Sequence, residues 1–316
     1  MLCRPEKIGL DQWDSRFRDW TRRGRKMPAN VGPISKHVTG GDYRLKQLKY
    51  DNSYAALQLW NLLLTEDERL AEAKRKGKKI VGAMKDLGTV PVLACSLENI
   101  VTFYPDGAWW IPCITELNDQ VLNAAASLGI DESFCPVRAM IGAFVTKTRF
   151  PLPDRLVCST GATCDDFSAI AQRLEPLGFP VVWWEMPHRR HPEKGERKVT
   201  LPGGFTAPAS QVGFVKTELT RVVSVLEELS AEKLDNRKLA FGIKKANIIR
   251  RYLDEIRELV FTAEVCPLPA LEMLIVEMFA LHFCSDLNQA TIVLKNLLNE
   301  VHRCSLEPHI VSTLCR

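Results

Sequence analysis

The sequence shows no pattern typical of a signal peptide or of a membrane-spanning helix. Its first twenty residues contain no apolar core of the kind that a signal peptide requires, and no later run reaches the roughly 18 apolar residues that span a bilayer. We therefore expect a cytoplasmic protein with no membrane partner. The net charge of +4 is small for 316 residues, and Lys and Arg are interleaved with Asp and Glu. This pattern does not indicate a nucleic-acid partner.

The sequence signatures of several common enzyme classes are also missing. The sequence contains no GxSxG, HExxH or GxGxxG, and no Gly-Lys-Ser/Thr follows its glycine-containing turns. Hydrolase, zinc-protease, dinucleotide-binding and ATP-binding interpretations therefore lack their motifs. With 46% hydrophobic and 25% charged residues the composition is that of an ordinary globular protein, which excludes disorder, collagen and coiled-coil arrays.

Ten cysteines are too few for a disulfide scaffold in a chain of this length. None of their spacings is a tight CxxC, so a zinc ribbon lacks its signature and any metal site must be assembled from distant loops. In a reducing compartment the cysteines can be small buried residues, redox groups or metal ligands. All three interpretations stay open at this point.

Short apolar runs alternate with helical segments between Lys78 and Pro187, which is typical of a parallel sheet covered by helices. One amphipathic helix is predicted before this region, from Asn52 to Lys76, and a loop rich in Pro, Gly and Lys after it, at about 193–211. Helical periodicity then continues toward the C-terminus. The predicted fold class is α/β, a Rossmann-like parallel sheet domain followed by an all-helical layer. The predicted domains are an N-terminal arm with helices, the α/β domain with the candidate site and a helical region, at 1–76, 77–211 and 212–316.

Two segments follow predicted strands at their carboxyl ends, where ligands bind in such sheets. The turn that contains Cys164 and Asp165 could hold an anion on its backbone N–H groups, and a helix cap is the alternative. The basic segment with His188, Arg189 and Arg190 could hold the phosphates or carboxylates of a substrate. A solvated charged loop is the alternative.

Two cysteines are candidate metal ligands. Cys135 precedes a predicted helix with Pro136 in its first turn, and a helix N-terminus stabilises a thiolate. Cys113 ends the apolar run AWWIPCI, where a strand would deliver it to the carboxyl edge of the sheet. For each of them a buried structural cysteine is the alternative.

Several motifs in this order resemble the family of 2-hydroxyacyl-CoA dehydratase and benzoyl-CoA reductase iron–sulfur subunits. The resemblance extends over about residues 75 to 300, and its YPD stretch looks nearer the benzoyl-CoA reductase branch. The matching segments are GKKIVG at 77–82, VPV at 90–92, IVTFYPDGA at 100–108, SFCPVRAMIG at 133–142, LVCSTGATCDD at 156–166 and VVWWEMPHRR at 181–190.

The resemblance implies a pair of similar subunits, each with a [4Fe–4S] cluster held by three cysteines and one open iron site facing a CoA-thioester substrate. An ATP-dependent activator iron–sulfur protein would supply single electrons at low potential. Such electrons expel a hydroxyl group in the dehydratases and dearomatise a ring in the reductases. Cys135 matches one cluster ligand, and Cys113 matches an earlier one with Cys95 as the fallback.

Two departures from the family pattern are visible. Members usually continue into a second α/β domain that supplies the third ligand, which this chain is expected to lack, so Cys304 or Cys315 would have to replace it. Leu93 and Ala94 stand where an acidic residue and an apolar residue are common. A truncated or diverged non-catalytic partner subunit is therefore the alternative function, and an independent electron-transfer protein is a third.

Overall fold

The structure is a computed structural model that describes residues 54–84, 88–107, 118–161, 164–281 and 285–306. No helix in these ranges is both long and apolar enough to cross a membrane. The described residues divide into two compact units. The first contains residues 54–72, 118–119, 241–281 and 285–306, and the second contains residues 73–84, 88–107, 120–161 and 164–240.

The second unit contains a four-stranded parallel sheet, which confirms the predicted α/β fold. The strand order is β2-β1-β3-β4, and neighbouring strands pair in parallel throughout. Each strand is a short apolar run of the kind that parallel sheets bury on both faces. The strands are β1 (Lys79–Met84), β2 (Ile100–Phe103), β3 (Arg155–Gly161) and β4 (Val181–Met186).

Helices connect these strands and continue beyond them, and the region after β4 becomes helical as expected. The described helices are α1 (Tyr54–Leu64), α2 (Glu66–Arg75), α3 (Thr89–Ala94), α4 (Asp119–Ser127), α5 (Ala139–Thr146), α6 (Asp165–Leu174), α7 (Ala209–Ser230), α8 (Asn236–Thr262), α9 (Ala270–Leu281) and α10 (Leu287–Leu306).

One face of the sheet is covered by α3 and α7. Val157 of β3 and Trp184 of β4 belong to a buried apolar cluster that also includes Leu93 of α3 and Val222 and Leu226 of α7. Because successive side chains of a strand point to opposite faces, Leu156 and Cys158 project to the other side.

The opposite face of β3 is covered by α6, whose Ile170 is fully buried. The chain passes from β1 to β2 in one direction and from β3 to β4 in the other. Right-handed crossovers then require α3 and α6 to lie on opposite faces.

In the first unit, α9 and α10 pack against α1. Two polar contacts link these helices, one of them buried and the other partly buried. The indole Nε1 of Trp60 donates to the Glu272 carboxylate at 2.9 Å, and the Asn296 amide donates to Gln58 at 2.9 Å. Trp60 and Glu272 are both almost completely buried.

The prediction of one helix from Asn52 to Lys76 is wrong, because Thr65 separates α1 from α2. Three acidic residues, at 66–68, follow this break and form the first turn of α2. Carboxylates are favourable at a helix N-terminus, so this local charge pattern starts a new helix where the apolar spacing alone predicted continuity.

The loop predicted at about 193–211 is present at 193–197, but regular structure occupies part of the rest. Two short antiparallel strands lie within it, β5 (Lys198–Thr200) and β6 (Thr206–Pro208), and α7 begins at Ala209. The backbone N–H of Leu201 donates to the Phe205 carbonyl at 2.6 Å and closes a turn through Pro-Gly-Gly. The residues that predicted a loop are therefore the turn of a small hairpin.

Other predictions lie outside the described residues, namely the strand at AWWIPCI and the arm before residue 52. The three domain boundaries remain predictions.

Candidate functional site

The chain leaves β1 toward β2 on one side and leaves β3 toward β4 on the other side, so the strand order reverses between β1 and β3. In doubly wound sheets a ligand crevice opens next to such a reversal, at the carboxyl edge. Gly161, the last residue of β3, pairs with Met186, the last residue of β4. Because the two strands are parallel, the Cys164 and His188 segments leave the sheet at the same edge. The structure therefore places both sequence-predicted substrate segments at this carboxyl edge.

Gly161 fixes how the chain leaves β3. Its φ is +97°, and a Cβ atom here would lie 2.4 Å from the Met186 carbonyl oxygen, so no other residue fits. Cys164 then takes the N-cap position of α6, exposed and without a side-chain cap hydrogen bond, and Asp165 is already helical. Asp165 and Asp166 place two carboxylates in the first turn, where they complement the helix dipole and would oppose a bound anion.

Arg190 is paired within its own loop. Its guanidinium donates two hydrogen bonds of 2.6 Å to the two carboxylate oxygens of Glu196. These bonds, with a further one from the Glu193 backbone N–H, lower the pKa of Glu196 to about 2. The same pairing raises the pKa of Arg190. The positive charge of Arg190 is therefore largely compensated by Glu196.

Arg189 and His188 are both exposed, in different surroundings. The Arg189 guanidinium lies 4.5 Å from the centre of the Phe205 ring, and Phe205 is itself 54% exposed. Cation–π contact of this kind holds the guanidinium in place while its charge stays available. The His188 backbone carbonyl accepts a 2.6 Å hydrogen bond from Gln211, which fixes the loop and leaves the imidazole outside this contact.

Cys135 lies in a tight turn that starts the 3-10 helix Pro136–Arg138, just before α5. Its thiol is half-buried and is not part of a disulfide. The Asp131 carboxylate accepts hydrogen bonds from the backbone N–H and the hydroxyl of Ser133, at 2.9 and 2.6 Å. These bonds lower the pKa of Asp131, with a smaller contribution from the charge of Arg138.

Arg138 closes the same turn from the other side. Its Nη1 donates to the Phe134 carbonyl oxygen at 2.7 Å, and its backbone N–H donates to the Cys135 carbonyl oxygen at 3.0 Å. Its Nε is buried and has no hydrogen-bond partner among the described residues. Sequence reasoning singled out Cys135 but missed Asp131 and Arg138. The signals were present, since an Asp-x-Ser turn and an arginine lie four and three residues from the cysteine.

The other candidate ligands lie in different surroundings. Cys95 follows α3, which returns the chain toward the amino edge of the sheet, and its Sγ lies 3.3 Å from the Val92 carbonyl oxygen. Cys304 is buried in α10 of the first unit. Cys113 and Cys315 lie outside the described residues. Within the described ranges no group of three His, Cys, Asp or Glu residues could hold a metal ion.

The fold and the site define a doubly wound α/β protein that continues into a helical layer, with a cysteine at a helix start between the second and third strands. A family model described as 2-hydroxyglutaryl-CoA dehydratase, D-component, matches residues 103–311, about two thirds of the chain. The chain belongs to this family, which confirms the family resemblance seen in its motifs. No curated protein sequence matches the chain. The benzoyl-CoA reductase branch stays a prediction.

Proposed function

We propose that the chain is the cluster-bearing subunit of a CoA-thioester dehydratase or reductase of the 2-hydroxyacyl-CoA dehydratase type. The family match over residues 103–311 carries this proposal, because it extends through Cys113, Cys135 and Cys304. The half-buried thiol of Cys135, held at the start of a helix, supports it.

The chemistry of Cys135 suits a ligand of an iron–sulfur cluster. Thiolates are soft ligands that favour iron–sulfur clusters, and Cys135 supplies one from a turn with fixed backbone hydrogen bonds. A bound [4Fe–4S] cluster would supply electrons one at a time at low potential. Cys135 and Cys113 would each hold an iron, with Cys95 as the fallback for Cys113. The third ligand stays unassigned.

The substrate side of the proposal rests on the carboxyl-edge loops. The exposed guanidinium of Arg189, held on Phe205, can bind a phosphate or carboxylate group of a CoA-thioester. Arg190 contributes less because Glu196 already accepts its two hydrogen bonds. His188 and Cys164 are proposed to complete the contact from the ends of β4 and β3, and Asp165 is proposed to face a part of the substrate that carries no negative charge.

Two protein partners follow from this function. A homologous second subunit would share the substrate, and an ATP-dependent activator iron–sulfur protein would deliver the electrons. The alternative is a diverged, non-catalytic partner subunit of such a complex. The two possibilities differ in one measurable property, since only the first requires a cluster in this chain.

The decisive experiment is anaerobic purification of the full chain, with iron and acid-labile sulfide measured beside the visible and EPR spectra. We expect about four irons and four sulfides per chain, as in a single cubane. Cys135→Ser and Cys113→Ser should each lose most of the iron. A folded chain that stays free of iron after anaerobic reconstitution would favour the non-catalytic alternative.

Cys266→Ser is the matched control for these variants. Cys266 is an exposed cysteine whose Sγ lies 2.9 Å from the Leu268 carbonyl oxygen. Its iron content should equal that of the unmodified chain. Equal iron loss in this variant would mean that the cysteine substitutions act through the fold and not through ligation.

A further inference from the structure

We propose that the exposed side of α8 pairs with the same helix of a second copy of this chain, antiparallel and about a two-fold axis. The pairing surface is a stripe of side chains in the part of α8 that belongs to the first unit. The stripe residues are Phe241, Lys245, Ile248, Tyr252, Glu255 and Leu259. The inference goes beyond the proposed function, because it requires neither a cluster nor a substrate.

The stripe is a second repeat on a helix that already has a buried side. The buried residues of α8 are Gly242, Ala246, Ile249, Leu253 and Ile256. The stripe residues follow one another at alternating steps of four and three residues, which is the spacing of the a and d positions of a coiled coil. With about 3.6 residues per turn, the stripe lies roughly a quarter of a turn from the buried side. The pattern of α8 is therefore that of a helix with two contact surfaces.

The stripe is accessible to solvent. Phe241 is 57% exposed, the Glu255 side chain is 50% exposed, and the other four stripe residues are half-buried. Cations of the same helix lie over its two rings: the Lys245 ammonium is 4.6 Å from the centre of the Phe241 ring, and the Arg251 guanidinium is 5.4 Å from the centre of the Tyr252 ring. Aromatic residues and arginine are enriched in protein–protein interfaces, so the composition of this surface suits a protein partner.

The stripe is complementary to itself when two copies run antiparallel. In a two-fold interface, residue i of one copy contacts residue j of the other, and j contacts i. When the axis passes beside position 250, the stripe residues combine into three kinds of pair, each formed twice. The pairs are Lys245 with Glu255 of the second copy, Ile248 with Tyr252, and Phe241 with Leu259. Each pair therefore joins opposite charges or two largely apolar side chains.

The charge distribution along α8 favours both the antiparallel direction and a second copy as the partner. All charged residues in the 241–253 segment are cations, whereas three of the four in the 254–259 segment are carboxylates. The cations of the first segment are Lys244, Lys245, Arg250 and Arg251, and the carboxylates of the second are Asp254, Glu255 and Glu258. A parallel copy would place like charges side by side, whereas an antiparallel copy places the basic half beside the acidic half.

Two features of the stripe make this dimer reversible. A lysine at a coiled-coil contact position specifies the register at a cost in stability, and Lys245 occupies such a position. Arg251 lies nearest to the axis and meets its own copy there, although its Nε lies 3.6 Å from a Glu255 carboxylate oxygen of the same helix, which offsets part of the repulsion. We therefore expect a dimer that dissociates on dilution.

The test measures the dissociation constant of the dimer by sedimentation equilibrium of the purified full chain. Lys245→Glu and Glu255→Lys each place like charges beside each other at both symmetric positions, so each should raise the dissociation constant by about tenfold or more. The double variant restores opposite charges in reversed order and should return toward the unmodified value. Lys295→Glu is the matched control, because Lys295 is an exposed lysine of α10 in the same unit, and its dissociation constant should stay unchanged.

An unmodified chain that is monomeric at every concentration would overturn the inference and leave the stripe to a different protein. Single reversals that dissociate no more readily than K295E would also overturn it. A double variant as weak as the single ones would do the same, because rescue requires contact between Lys245 and Glu255 of different copies. If far-UV circular dichroism shows that one single reversal does not fold, the other decides. None of these outcomes depends on bound iron, so the proposed function is tested separately.

Discussion

Glu218 on α7 accepts the backbone N–H of Glu185 on β4 at 2.8 Å. β4 is the last strand on its side of the described sheet, so this N–H lies on an open strand edge. Arg221, one turn further along α7, donates to the Trp183 carbonyl oxygen and pairs with Glu218 at 2.7 Å. Two side chains of a helix thus occupy the hydrogen-bonding positions that a fifth strand would use. Covering an edge in this way prevents pairing with other chains.

Removal of Glu218 should expose this edge. We expect Glu218→Ala to lower the free energy of unfolding by about 1 kcal/mol, since a carboxylate bond to an exposed backbone donor and a surface ion pair are lost together. It should also increase concentration-dependent association through the bare N–H of Glu185. Urea unfolding and sedimentation velocity measure the two effects.

Glu228→Ala is the control on the same helix, because Glu228 is exposed. Its stability and association state should stay unchanged. Equal behaviour of E218A and E228A would show that the carboxylate does not cover the edge.

The contribution of Glu218 should depend on pH. The Arg221 hydrogen bond lowers the pKa of Glu218 by more than burial raises it, and the Glu185 backbone N–H lowers it further, so that the pKa lies below its ordinary 4.5. A carboxyl group with a lowered folded-state pKa contributes stability that is present above pH 4.5 and lost as the pH falls through the folded value. The stability difference between the unmodified chain and Glu218→Gln should therefore shrink from pH 7 to pH 3. A constant difference would contradict the assignment.

Glu196 should titrate about two and a half pH units below an ordinary glutamate, since Arg190 and then the Glu193 N–H lower its pKa from 4.5 to about 2. In Arg190→Ala the pKa of Glu196 should return toward 4.5, because the largest cause is removed. In Arg189→Ala it should stay near 2. Carbon-detected NMR of the Glu196 carboxyl group measures this pKa directly. Any stability from the pair is present above pH 4.5 and fades as the pH falls toward 2.

Most of the sheet could be predicted from the sequence because each strand is an apolar run between turn residues, and KIVGAM at Lys79–Met84 is a clear case. The hairpin of β5 and β6 could not. Its strands have three residues each, too short for a two-residue period to be visible, and its turn is made of the residues that also mark loops.

The sequence could single out Cys135 and the carboxyl-edge segments, but it could not predict their contacts. Cys135 could be singled out because it directly precedes Pro136, and a proline at this place marks the start of a helix. The pairing of Arg190 with Glu196, and the fold-back of Arg138 onto Phe134, depend on side-chain conformations that no sequence period records. The charge that remains available at the carboxyl edge could therefore be read only from the structure.

Gly142 allows α4 and α5 to approach closely, and its replacement should be strongly unfavourable. A Cβ atom here would lie 1.9 Å from the Val121 carbonyl oxygen, a backbone atom that cannot move without shifting α4. We expect Gly142→Ala to lower the free energy of unfolding by about 3 kcal/mol or more. Chemical denaturation measures this change.

Gly213→Ala is its matched control in a helix. Gly213 lies in α7, and a Cβ atom there would meet nothing within 4 Å. Because alanine favours helices over glycine, this variant should gain about 0.5–1 kcal/mol. Similar effects at the two positions would mean that the contact between α4 and α5 adapts.

Trp60 and Trp183 each donate an indole hydrogen bond to a glutamate, one in a buried and one in an exposed environment. Comparing them tests how much burial increases the contribution of this bond to the free energy of unfolding. The Trp60 indole donates to Glu272 at 2.9 Å in the core of the first unit, whereas Trp183 donates to Glu175 at 3.0 Å on an exposed surface. Replacing Trp60 with Phe removes a donor from a buried carboxylate, and the lost ring volume adds to the effect, so we expect a loss of at least about 2 kcal/mol. Trp183→Phe should cost less than about 1 kcal/mol, because water replaces the indole. Equal losses in the two variants, measured by denaturant unfolding, would show that the buried bond contributes no more than the exposed one.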